Sequence, residues 1–271
     1  PVMLDHELTT FRRKIIGDRI LLMLPLNVVL AGRVRGAVDP PEVMAALKRL
    51  RSRHPLLAVR VEIGEDGFGE YVQSNVPPLQ VYNAPRDSEN QWIERVKEEL
   101  RAPFAIETGP LLRCSLIYSE SVCDIILCGH HTICDGMSLG YLLRDLLECI
   151  AEPQKEFAGP LLPPGIDSST VASPPSTKTL QRFVIGRINR KWETKGIRFS
   201  ESDMYRMHEK YWEHNTGMQL LAWNLDADDT SKLVERSQVE KVTVNSALWT
   251  AFLAAQHDVQ LDQLRYRQRS A

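Results

Sequence analysis

At 271 residues, with 43% hydrophobic and 25% charged side chains, the chain has the composition of an ordinary globular protein with an ample core. A formal net charge of -2 and a pI near 6.4 argue against any overall attraction to nucleic acid or anionic membrane, and no apolar run reaches the length of a bilayer span. Five scattered cysteines (Cys114, Cys123, Cys128, Cys134, Cys149) speak against a disulfide framework, and no signal pattern opens the chain, so a cytoplasmic location is expected.

In chain order, residues 1–23 offer an Arg12-Arg13-Lys14 cluster and no firm element beyond a short helix. Val28, Val29, Leu30 and Val34 predict a strand over 27–34. Asp39 followed by Pro40 and Pro41 reads as a helix start, and Val43, Ala46, Leu47 and Leu50 give that helix one buried face until His54-Pro55 stops it. Leu57, Val59, Val61 and Ile63 alternate as a second strand, which a Gly64-to-Gly69 turn reverses into Glu70-Tyr71-Val72. Asp87-Ser88-Glu89 opens a second helix with Trp92, Ile93, Val96 and Leu100 on one face, ended by Pro103-Phe104.

Leu111–Tyr118 and Val122–Cys128, joined by Ser119-Glu120-Ser121, predict paired antiparallel strands. The second delivers His130-His131-Thr132-Ile133-Cys134-Asp135-Gly136 to a turn, for which Gly136 is expected to supply backbone freedom. Leu139, Leu142, Leu143, Leu146, Leu147 and Ile150 then form a helical stripe that reads as core. Prolines and Ser/Thr clusters over 153–178 predict an inter-domain crossover, part of it mobile, and a basic run follows at 182–198. Beyond Gly217, a strand over Leu220–Leu225 and helices over 226–239 and 243–256 are expected, the last with Leu248, Phe252 and Leu253 inward.

A neutral imidazole at a strand end can accept a proton near neutral pH and is reachable by substrate. Asp135, four residues beyond His131, can fix the loop by accepting backbone N–H bonds or pairing with a cation, Arg113 being the candidate partner. A zinc module built from Cys128, His130, His131, Cys134 and Asp135 is one alternative, and a hydrolase with Cys134 as nucleophile is another.

The spelling His-His-x-x-x-Asp-Gly resembles the signature of thioester-dependent acyltransferases with a chloramphenicol-acetyltransferase-like fold. That group includes condensation domains of nonribosomal peptide synthetases, alcohol acetyltransferases and polyketide-associated acyltransferases. Arg53-His54-Pro55-Leu56-Leu57, Pro103-Phe104 with Gly109-Pro110-Leu111-Leu112-Arg113, and Thr243-Val244-Asn245-Ser246-Ala247-Leu248 are similar to further segments of such domains, in the same order. The resemblance implies an α/β fold, a mixed sheet with flanking helices, in which 1–152 is the first subdomain, 153–216 a crossover and 217–271 the opening of a second, incomplete one. It implies His131 as general base, with His130, Asp135 and Gly136 supporting the motif and Asp135 structural. It implies an acyl group moved from coenzyme A or a carrier-bound phosphopantetheine to a small-molecule hydroxyl or amine, with an acyl carrier protein as a partner. No tightly bound cofactor, metal, nucleic acid or membrane span is expected. A non-catalytic domain that kept the fold as a scaffold or partner-binding module is the rival reading.

Overall fold

The computed structural model describes residues 12–15, 26–64, 69–156, 160–161, 187 and 200–260. Within the expected crossover, most of the proline-rich stretch at 153–178 and most of the basic run at 182–198 lie outside the described residues, as does the tail at 261–271. The backbone separates into two compact units, Pro1–Met218 and Gln219–Ala271.

The first unit is mixed α/β. Its elements run β1 (Arg12–Lys14), β2 (Asn27–Arg35), α1 (Pro40–Arg53), a one-turn 3₁₀ helix (Pro55–Ala58), β3 (Arg60–Ile63), β4 (Gly69–Val72), β5 (Val81–Pro85), α2 (Gln91–Arg101), β6 (Leu112–Tyr118), β7 (Val122–His130), α3 (Gly136–Ala151) and α4 (Glu201–His214). A four-stranded sheet has the order β2-β7-β6-β5, antiparallel except for the parallel β5–β6 pair, and a three-stranded antiparallel sheet has the order β1-β4-β3.

β7 is buried from Cys123 to His130, as the apolar run Ile125–Cys128 requires of a central strand covered on both faces, with the buried Asp124 held by Arg33 and Arg86. The period of two sorts its side chains. Ile125 and Leu127, with Cys114 and Leu116 of β6, enter the cluster completed by Leu47 and Leu50 of α1 and Leu139, Leu142 and Leu146 of α3. Each of these leucines, fully or nearly fully buried, contributes roughly 1.5–3 kcal/mol. Cys128 faces the other way, into a second cluster with Val59, Val61, Tyr71, Phe104 and Leu111, which joins the two sheets. The leucine stripe of α3 is thus core, packed on the strand that carries the histidines.

Several expected elements take a different form. Residues 12–14 pair with β4 as a strand, set by the neighbouring backbone rather than by any side-chain pattern. Leu57 lies in the 3₁₀ turn rather than a strand, because Pro55 has the fixed φ of a helical first turn, and the strand starts only at Arg60. β5, bounded by prolines, carries no apolar alternation, yet it pairs in parallel with β6. On α2 the buried residues are Val96 and Glu99, while Trp92, Ile93 and Leu100 are only half-buried. Within the expected crossover, α4 is a 14-residue helix with a capping box between Ser200 and Asp203, and His208 is held to the Arg101 carbonyl.

The second unit holds α5 (Ala227–Val239), capped by the Asp226 carboxylate on the Asp229 amide, and α6 (Val244–Gln260). Leu220–Leu225 is not a strand: among the described residues no neighbouring strand pairs with it. Phe252 and Leu253, expected inward, are 50% and 61% exposed; Phe252 lies against Trp223, itself exposed, at 5.9 Å between ring centroids.

Candidate active site

The motif begins where β7 ends. Asn27 of β2 pairs in register with His130, and the His131 amide donates to the Leu26 carbonyl at 3.0 Å, so the sheet itself holds both histidines to their positions. A turn follows, closed by the Ile133 amide on the His130 carbonyl at 3.0 Å.

The two imidazoles are held in opposite states. His130 is 5% exposed, its ring edge-on to Phe104 at 5.9 Å between centroids. Burial, then the neighbouring His131 and Arg113, push its pKa down to about 4, so it is neutral at physiological pH. Its Nδ1 accepts from the Thr132 amide at 3.3 Å and lies 2.9 Å from the Thr132 hydroxyl, which leaves the ring proton on Nε2. His131 is half-buried, and its Nδ1 lies 3.0 Å from the Cys134 carbonyl. A carbonyl oxygen only accepts, so Nδ1 carries the proton and the neutral ring keeps its lone pair on Nε2. That is the tautomer a base needs.

Asp135 is exposed and N-caps α3: its Oδ1 accepts from the Ser138 amide at 2.7 Å and the Ser138 hydroxyl at 2.6 Å. These bonds hold its carboxyl below the usual range. Arg113, the candidate cation, is engaged elsewhere. It donates to Glu99 Oε2 at 2.6 Å and to the Glu99, Ala102 and Pro103 carbonyls, and stacks over Phe104 at 3.9 Å. Glu99 is 1% exposed; burial raises its pKa, but Arg113, Arg95 and Ser115 outweigh that and hold it ionised.

The role expected of Gly136 is corrected. It is the first residue of α3, outside the left-handed region, with open space where a Cβ would stand. The glycine the loop depends on is Gly129, which sequence reasoning passed over: a Cβ there would overlap the Cys134 sulfur. Its only signal was a glycine inside a strand beside the motif, a mark of close approach by another segment.

The alternatives to a histidine base lose their geometry. Burial pushes the Cys134 thiol up to about 12, its sulfur lies by the His130 carbonyl at 3.7 Å, and His131 meets the Cys134 carbonyl rather than the thiol. The five donors of the zinc reading do not converge: among the described residues no group of three or more His, Cys, Asp or Glu side chains is arranged to hold a metal. Beside the loop lies a largely apolar cleft of about 180 Å³, lined among others by His54, Leu56, Ile133, Cys134, Ser138 and Leu142, and His131 is not among its lining residues. His54 is anchored there by Asp145, which is buried and also bonded by Arg53 and Arg144. No helix among the described residues is long and apolar enough to cross a membrane.

Comparison with known proteins points to the same family. The condensation-domain family model matches residues 26–162. Nonribosomal peptide synthetase kk1B of Curvularia clavata is 34% identical over 136 residues, 48% of this chain and 1% of that protein. Gramicidin S synthase 2 of Brevibacillus brevis is 29% identical over 125 residues, 46% of this chain and 3% of that protein. The chain thus spans a small fraction of the curated relatives it matches. The crystal structure of SgcC5 from Streptomyces globisporus aligns with a TM-score of 0.48 at 18% identity, covering 88% of this chain and 54% of that one. With the family model matching half of its length, and with the histidine loop inside the matched span, the chain belongs to the condensation-domain family, a family of acyl and peptidyl transferases.

Proposed function

We propose that the chain carries the base-bearing part of an acyltransferase that moves an acyl group from a thioester to a hydroxyl or an amine. The observation that carries this reading is the His131–Cys134 hydrogen bond, which leaves Nε2 of a half-buried imidazole as the acceptor. His131 takes the acceptor proton as oxygen or nitrogen attacks the thioester carbonyl. The carbon–sulfur bond then breaks, and the departing thiolate takes the proton back from the imidazolium. A positioned base of this kind is worth ~10²–10⁴-fold. Backbone N–H groups at the start of α3 are the donors proposed for the tetrahedral oxyanion. No acyl-enzyme and no tightly bound cofactor is needed, because the donor arrives activated. An amine acceptor must arrive neutral, since burying an ammonium ion is costly.

Membership in the condensation-domain family supports a carrier-bound phosphopantetheine thioester as donor, and with it an acyl carrier protein as partner; coenzyme A is the other thioester to test. The test gives full-length protein each donor with a panel of alcohols and amines and follows free thiol and acylated product. Transfer from one donor class establishes the reaction and names the donor. No transfer to any acceptor by folded protein would replace this reading with a non-catalytic scaffold.

A further inference from the structure

The turn that shapes His131 starts on the Leu26 carbonyl and is held again, at its middle, from the other sheet. Tyr71, on β4 of the three-stranded sheet, donates its hydroxyl to the Thr132 carbonyl. Thr132 is the middle of the turn: the residue before it is His131, and two residues after it comes the carbonyl that orients the His131 ring. Both partners are buried, Tyr71 at 7% and Thr132 at 6% exposure. In that setting a carbonyl that loses its donor either stays unpaired, which is costly, or turns away and takes the loop with it. Apart from the His131 amide on the Leu26 carbonyl, the remaining hydrogen bonds of the turn among the described residues are local. They are the Ile133 amide on the His130 carbonyl, Thr132 on His130, and the Cys134 sulfur on the His130 carbonyl. Each joins two residues of the segment 130–134 to one another, and among the described residues none ties Thr132 to the rest of the fold.

We propose that Tyr71 is a positioning residue for the reaction. Its hydroxyl fixes the Thr132 carbonyl, and so the path of 131–134, which keeps the Cys134 carbonyl under Nδ1 of His131 and the lone pair on Nε2. The three-stranded sheet thereby acts on a base carried by the other sheet. This rests on the acyltransfer reading above for its kinetic consequence, but not for its structural one.

The test is Tyr71→Phe, which removes one oxygen and keeps the ring in the core. In the 271-residue chain, nitrogen NMR of histidine-labelled protein reads the tautomer of His131 directly. Wild type should show the proton on Nδ1, and Tyr71→Phe a mixture shifted toward Nε2–H. In full-length protein with a thioester donor, kcat should fall roughly 10- to 100-fold, the scale of a misplaced catalytic group, with KM nearly unchanged. The tautomer is read on the folded fraction, so a less stable Tyr71→Phe still gives an answer. A wild-type tautomer and kcat in Tyr71→Phe would overturn the proposal. So would a lower melting temperature with both readouts unchanged in the folded fraction, which would make Tyr71 structural only. If wild type transfers nothing, the acyltransfer reading fails by itself, and the tautomer still decides whether Tyr71 holds the loop.

Discussion

Replacing Asp135 with alanine separates two accounts of the motif acid. As one half of a buried ion pair, its loss would leave a charge uncompensated at a cost of ~3–5 kcal/mol. The structure describes something else: an exposed carboxylate that caps α3 through the Ser138 amide and hydroxyl. Cap removal costs ~1 kcal/mol, within a range of ~0.5–2, and the exposed hydroxyl bond adds at most a few tenths. The expected loss is therefore ~1 kcal/mol, a fall in melting temperature of about 2–4 °C at this size. Asp135→Asn should recover nearly all of it, because asparagine caps as well as aspartate. Urea titration followed by circular dichroism, on wild type and both variants, measures this. A loss of 3 kcal/mol or more, not rescued by asparagine, would refute the cap and require a buried cationic partner.

Arg113→Ala should be far more damaging, ~3 kcal/mol or more by the same titration, because Glu99 stays buried with Arg95 and Ser115 alone. Lysine should not restore it, having no planar fork to reach Glu99 and three carbonyls together. Gly129→Ala should cost ~1–3 kcal/mol through the forced contact with the Cys134 sulfur, and adding Cys134→Ala should return most of that. Asp145 sets an acid limit. Burial raises its pKa, but Arg144, His54 and Arg53 outweigh that and leave it below the usual carboxylate value. Its contribution is then present above the unfolded-state pKa of ~3.9 and lost as pH falls through the lower folded value. Asp145→Asn should flatten the decline in stability below about pH 4 and lower stability at pH 7; an unchanged acid profile would remove Asp145 from it.

What could be read from the sequence is what has a period. The 3.6-residue spacing of Leu139, Leu142 and Leu146, and the run Ile125–Cys128, placed the motif at the end of a buried strand with a core helix behind it, which is the arrangement found. What could not be read depends on neighbours. β5 and β1 are strands because β6 and β4 supply their hydrogen bonds, and Leu220–Leu225 lacks such a neighbour among the described residues. The partner of Arg113 is an acid on α2, brought to it by packing and not by any spacing. The loop's close contact is made by Gly129 rather than by the motif's own Gly136, because it depends on where the Cys134 side chain folds back.

The assignment of His131 as the base has a direct kinetic test. Single-turnover acyl transfer by full-length protein, wild type against His131→Ala, tests it most directly, with melting temperature as the control for folding. The rate should fall ~10²–10⁴-fold with the melting temperature nearly unchanged. Equal rates in the two proteins would contradict it.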